Sequence, residues 1–159
     1  MKIKAAWLVL AACLSFGAWA AGENTEEVEN ANKIRNEYTK FSSEKERSEF
    51  RQTLIEAMAK NVSSQLPISP NEDITWYRIA AEKNRLVYFY QLSEKLLESL
   101  QDSKRKENFA KEVTVSNKET MCSNTIMHAL VDINTQIRIE FRDRKYRNFI
   151  SPTTINSCS

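Results

Sequence analysis

Few residues in this chain could carry covalent, metal or acid–base chemistry: one His, three Cys and some adjacent carboxylates. Nucleophilic catalysis needs a nucleophile, a base and a group that orients the base. A catalytic zinc needs three protein ligands. His128 lies in the apolar stretch Met127–Leu130, has no acidic or nucleophilic neighbour in sequence, and reads as a structural histidine. Glu26/Glu27 and Glu44/Glu46 fall in leader or exposed helical sequence, where nothing points to acid–base work. Only two glycines are present, Gly17 and Gly22, so a Gly-rich phosphate cradle is excluded. The expectation is a protein that is not an enzyme and uses no cofactor and no metal.

The cysteines point to a compartment. Lys2 and Lys4 precede an apolar run from Ala5 to Phe16, and Ala18-Trp19-Ala20 follows. This is the layout of a secretory signal peptide over 1–20, too short to persist as a membrane span, with cleavage after Ala20. The alternative is Leu10-Ala11-Ala12-Cys13 as a lipobox, which would make the protein an outer-membrane lipoprotein anchored at Cys13. Against it, the apolar stretch before Cys13 is short and the sequence after it unusually apolar for a mature start. Simple secretion to the periplasm is the preferred reading. Cys122 and Cys158 then remain, and in an oxidising compartment such a pair reads as one disulfide. Its loop of roughly 37 residues gives about 3–4 kcal/mol in the chain-entropy model. Lys2 and Lys4 also carry the whole excess of +2, so the mature chain is neutral. It has no general basic field for nucleic acid or anionic lipid, and membrane contact is expected only through a lipidated Cys13.

The elements that would position a site follow from periodicity. The 159 residues suit one domain. Residues 21–42 are charged, with few large apolar positions, and read as a flexible leader in which a marginal helix is conceivable. The domain is placed at 43–159. Ser43 and Glu46 form a capping box ahead of Phe50, Leu54, Met58 and Val62 at helical spacing, and Leu66-Pro67 ends that helix. Two aromatic, β-branched runs, 74–80 and 86–92, predict a hairpin with Asn84 as the left-handed turn residue. The stretch 94–100 is amphipathic, and helices are expected at about 105–121, where Val113-Thr114-Val115 could also pass as a strand, and after Ser123 or Asn124. A second hairpin is read from the alternation of Ile137, Ile139 and Phe141, with a turn at Asp143-Arg144-Lys145 into a strand at 146–150. The order is αββααββ: an α+β fold with an antiparallel four-stranded sheet of two hairpins and helices on one face.

Two residue groups invite a partner. Phe50, Leu54 and Met58 on the first long helix, with Trp76, Tyr88 and Tyr90 on the hairpin, are candidates for an apolar groove that receives a partner helix. Arg138, Arg142, Arg144, Lys145 and Arg147 cluster around the second turn. They read as a solvated edge that blocks strand-to-strand association, or as the contact for an acidic partner segment.

Certain segments resemble a known family. Lys60-Asn61-Val62-Ser63-Ser64-Gln65-Leu66-Pro67-Ile68 runs into the first hairpin. A helix ends on Met121-Cys122, and the chain closes on Thr153-Thr154-Ile155-Asn156-Ser157-Cys158. Over about 57–158 the chain resembles the beta-type (AspS-like) pilotins of type II secretion systems, and related small periplasmic disulfide-bonded proteins share that outline. The resemblance implies a protein that binds the C-terminal segment of a secretin and takes it to the outer membrane. Those pilotins are lipoproteins, which gives Cys13 its interest. A periplasmic inhibitor or immunity protein that blocks a toxin or hydrolase is the alternative function.

Overall fold

The computed structural model describes residues 25–159, and the expected signal peptide, its expected cleavage site and Cys13 lie outside that range. The elements are α1 (Thr25–Thr39), α2 (Glu44–Ser63), β1 (Ile74–Glu82), β2 (Arg85–Leu92), α3 (Glu94–Ser99), α4 (Ser103–Ser123), α5 (Thr125–Asp132), β3 (Gln136–Arg142) and β4 (Thr153–Ile155).

The caps are written in the sequence. Ser43 accepts the Glu46 N–H, and the Glu46 carboxylate accepts the Ser43 N–H, which completes the expected capping box. Asp102 accepts the Arg105 N–H at the start of α4, and Asn124 accepts the Met127 N–H at the start of α5. Between β1 and β2, Asn84 adopts φ 53°, the left-handed conformation expected of it. Its side chain exchanges hydrogen bonds with Ser48 and accepts from Arg51, so the turn is tied down onto α2.

The sheet departs from the expectation. Strand order is β1-β2-β3-β4, with β1/β2 and β3/β4 antiparallel but β2/β3 parallel. It is therefore mixed rather than antiparallel. The cause is the connection: after β2 the chain passes through α3, α4 and α5 and re-enters the sheet alongside β2's beginning, Arg85 facing Gln136. A crossover of that length produces parallel pairing, whereas a tight hairpin cannot. The last strand is also displaced, to Thr153–Ile155 rather than 146–150. The Asp143 carboxylate accepts the N–H groups of Lys145 and Arg147, an arrangement that holds the chain as a turn and leaves only Asn148 bridged to Arg142.

A third correction concerns the leader. Residues 25–39 form a helix that packs on α5 and buries Asn30, Ala31 and Ile34 completely or nearly so. The apolar positions of α1 are too few to stabilise an isolated helix, so the local sequence reads as solvated. The docking surface is α5, whose Ile126, Met127, Ala129, Leu130 and Val131 are all buried. On the strands, Trp76, Ile79, Leu86, Tyr88, Ile137, Ile139 and Phe141 face that helical layer and form the core with α2 and α5. Cys122 and Cys158 are bonded, Cα to Cα 5.5 Å, and join the end of α4 to the segment after β4.

Candidate partner-binding cleft

The residues expected to line a groove fall into two groups. Phe50, Leu54 and Met58 lie beneath α2 and are no more than 3% exposed. Phe50 does not flank an opening: Phe41 and Tyr38 close over it, with ring centroids 5.3 and 6.4 Å away. Arg51, itself buried, donates to the Tyr38 hydroxyl at 2.7 Å and fastens α1 to α2. Trp76 and Tyr88 are also core residues, stacked at 5.1 Å, and the Tyr88 hydroxyl donates to the Met127 sulfur at 3.4 Å. Burial pushes the Tyr88 phenol far above its ordinary range. These five positions are thus corrected to packing, because α2 lies directly across β1 and β2.

Tyr90 is different. Its ring stacks between Trp76 at 6.2 Å and Phe141 at 5.5 Å, yet the residue is only partly buried. Beyond Phe141 stands Phe109 of α4, edge-on at 5.9 Å. A row of four rings, Trp76–Tyr90–Phe141–Phe109, therefore crosses the sheet from the α2 side to the α4 side. The Tyr90 hydroxyl has no hydrogen bond to another described residue, and desolvation raises its pKa to about 12, so it stays protonated.

α2 and α4 make no substantial contact with each other. In its 21 residues α4 buries only Met121, while Phe109, Ala110 and Val113 are half-buried along its inner stripe. A helix with a single buried residue gains little from packing. Its specific ties are Lys106, 4.3 Å over the Phe149 ring near the start, a Thr114–Thr153 hydroxyl contact at 3.3 Å in the middle, and the Cys122–Cys158 bond near the finish. Trp76 and Phe141 are buried, so the half-buried apolar side chains left along this line are Tyr90, Phe109 and Val113. Phe109 and Val113 were legible only as helix-forming residues, since their half-exposure depends on tertiary packing.

The remaining chemistry-bearing groups are structural. His128 Nε2 lies 3.6 Å from Asp132, which also pairs with Arg35 of α1 at 2.7 Å. Among the described residues no cluster of His, Cys, Asp and Glu could hold a metal ion, and no helix is long and apolar enough to cross a membrane.

No protein-family model matches the chain, and no curated protein matches it either. Its fold is similar to three solved structures. One is a Pseudomonas aeruginosa protein thought to be secreted: TM-score 0.61, 19% identity, covering 75% of this chain and 100% of the other. The second is the pilotin EpsS of the Vibrio vulnificus type 2 secretion system, with TM-score 0.58, 17% identity and coverage of 72% and 96%. The third is the type II secretion pilotin AspS of Vibrio cholerae, with TM-score 0.57, 13% identity and coverage of 74% and 100%. The chain thus shares the pilotin fold, in line with the resemblance read from its sequence.

Proposed function

We propose that this protein is a pilotin-like binding module of the periplasm or the outer-membrane inner surface. It receives a short amphipathic helix from the C-terminal segment of a secretin in the cleft between α2 and α4. The observation that carries this reading is the half-buried apolar set Tyr90, Phe109 and Val113, at a place where α2 and α4 make no substantial contact with each other. The pilotin-like fold supports the class of partner, and the secretory N-terminus with the Cys122–Cys158 bond supports the compartment. Binding requires no catalysis: the partner helix buries its apolar face on the rings, and the half-buried stripe of α4 closes one side.

The test is titration of the protein with a synthetic peptide of the secretin C-terminal segment from the same genome, followed by fluorescence anisotropy. Val113 is half-buried on the helix that packs least. Val113→Glu should weaken binding roughly tenfold or more with the melting temperature nearly unchanged. Tyr90→Phe retains the stacked ring and tests the hydroxyl alone. An unbound peptide, or equal affinity for the parent chain and the Val113 variant, would refute the assignment.

A further inference from the structure

The other face of the sheet carries a second feature, independent of the cleft. Alternation along each strand sends the odd-numbered positions of β2 and the even-numbered positions of β3 away from the helices. Four arginines gather there: Arg78 from β1, Arg85 from β2, and Arg138 and Arg142 from β3. Only Glu82 and Glu140 oppose them on these strands, and Glu140 is already shared between Arg138, at 2.7 Å, and Arg142. In the middle lies Phe89, its ring between the guanidinium groups of Arg78 at 5.0 Å and Arg142 at 5.3 Å.

The turn after β3 extends this surface. Arg144, Lys145 and Arg147 surround Tyr146, with Asp143 the one acid of the segment. Tyr146 is 57% exposed, and its ring contacts Tyr77 of the same face at 5.5 Å. Arg147 pairs with Asp143 and Arg144 with Glu94, but these are exposed pairs that exchange readily with other anions. Across face and turn, seven cations meet three carboxylates. The described residues together hold 21 Lys and Arg against 20 Asp and Glu, so the rest of the molecule is left with an excess of acid. A nearly neutral chain thus gathers a basic cluster on this face and turn, with Glu94 beside Arg144 at 3.0 Å.

We propose that the sheet face opposite the described helices and the 143–147 turn dock on an anionic lipid bilayer. The surface is a sheet face rather than a groove, which fits a planar partner. Its composition, arginine and lysine around tyrosine, is the one that favours the headgroup region of membranes. The positive potential of this cluster would also orient the protein as it approaches.

The experiment is co-sedimentation of the purified full chain bearing Cys13→Ser, which removes any acyl anchor. The vesicles are phosphatidylethanolamine with phosphatidylglycerol, with phosphatidylcholine vesicles in parallel. Expected are pelleting with the anionic vesicles only and a loss of roughly tenfold or more as salt rises. Arg144→Glu/Lys145→Glu should reduce binding to a similar extent at unchanged melting temperature, whereas Lys111→Glu/Lys118→Glu on α4 should not. Tyr146→Ala, on an exposed ring, should weaken binding without unfolding the domain. Equal binding to both vesicle types, no binding to either, or indifference to the Arg144/Lys145 change would overturn the proposal. So would capture of a poly-glutamate peptide without vesicle binding, which would assign the face to an acidic polypeptide.

Discussion

Asn84 concentrates much of the fold's specificity in one residue. It occupies a backbone region that costs most non-glycine residues about 1–2 kcal/mol. Its side chain meets Ser48 and Arg51, its N–H donates to the Gln52 side chain, and its carbonyl accepts from Gln136. Asn84→Ala removes the side-chain bonds and keeps the left-handed strain, so a loss of about 2–4 kcal/mol in urea unfolding is expected. Asn84→Gly relieves the strain and should lose about 1–2 kcal/mol. Equal losses would mean that the conformation at this position is not the controlling factor. The turn itself was legible, because a Gly-free hairpin leaves Asn as the residue suited to positive φ. Its long-range partners were not, since nothing local places Ser48 beside it. Acid sensitivity also resides in single residues. Hydrogen bonds from Ser43 hold the Glu46 carboxyl below its ordinary 4.5, the Arg51 guanidinium lowers Glu44, and turn N–H groups lower Asp143. A carboxyl with a lowered folded pKa contributes stability that is present above the unfolded value and is lost as pH falls through the folded one. The melting temperature should therefore decline below about pH 4.5, less steeply in Glu46→Gln, and an identical profile would exclude the capping box as a contributor.

At the scale of elements, caps, periodicity and the first hairpin were readable, whereas the parallel pairing of β2 with β3 and the place of the last strand were not. The Ser43–Glu46 box and the Asn124 cap stand where the sequence puts them, because a cap is a local bargain between a side chain and nearby N–H groups. The parallel β2/β3 pair is set by the path of three helices, which alternation within β3 does not encode. The same blindness affected α1, whose buried Ile34 acquires meaning only against α5. Ile34→Ala should accordingly cost about 2–4 kcal/mol, a value incompatible with a solvated leader. The aromatic residues Trp76, Tyr88 and Tyr90 do cluster on one sheet face, but Trp76 and Tyr88 are buried beneath the helices, a depth that spacing within the strands does not encode. The disulfide belongs to this scale as well. It closes a loop with sequence separation 36 that contains α5, β3 and β4, so Cys158→Ser should destabilise the domain by about 2–5 kcal/mol.

On the scale of the whole molecule, stability is distributed unevenly, and the uneven part coincides with the proposed cleft. β2 and β3 lie inside the sheet, paired on both sides, with Leu86, Val87, Ile137 and Ile139 wholly buried. α5 is covered by α1 above and the sheet below. α4 has no comparable cover: its outer faces are open along its length, and one side chain of its 21 residues is fully enclosed. Local opening requires less free energy where few apolar contacts must be broken, so backbone protection should follow this ranking. In hydrogen–deuterium exchange, the amides of β2, β3 and α5 should exchange only with global unfolding. Those of α4 from about residue 106 to 117 should exchange far faster, while Met121 and Cys122 remain protected by the disulfide and by α5. Reducing the Cys122–Cys158 bond should extend the fast region through the end of α4 and into β4. A bound partner helix should slow the 106–117 amides, since it would cover the half-buried stripe at Phe109, Ala110 and Val113. Protection of α4 equal to that of β2 in the free protein would show that the helix is fully packed, and an aromatic row sealed beneath it could not receive a partner.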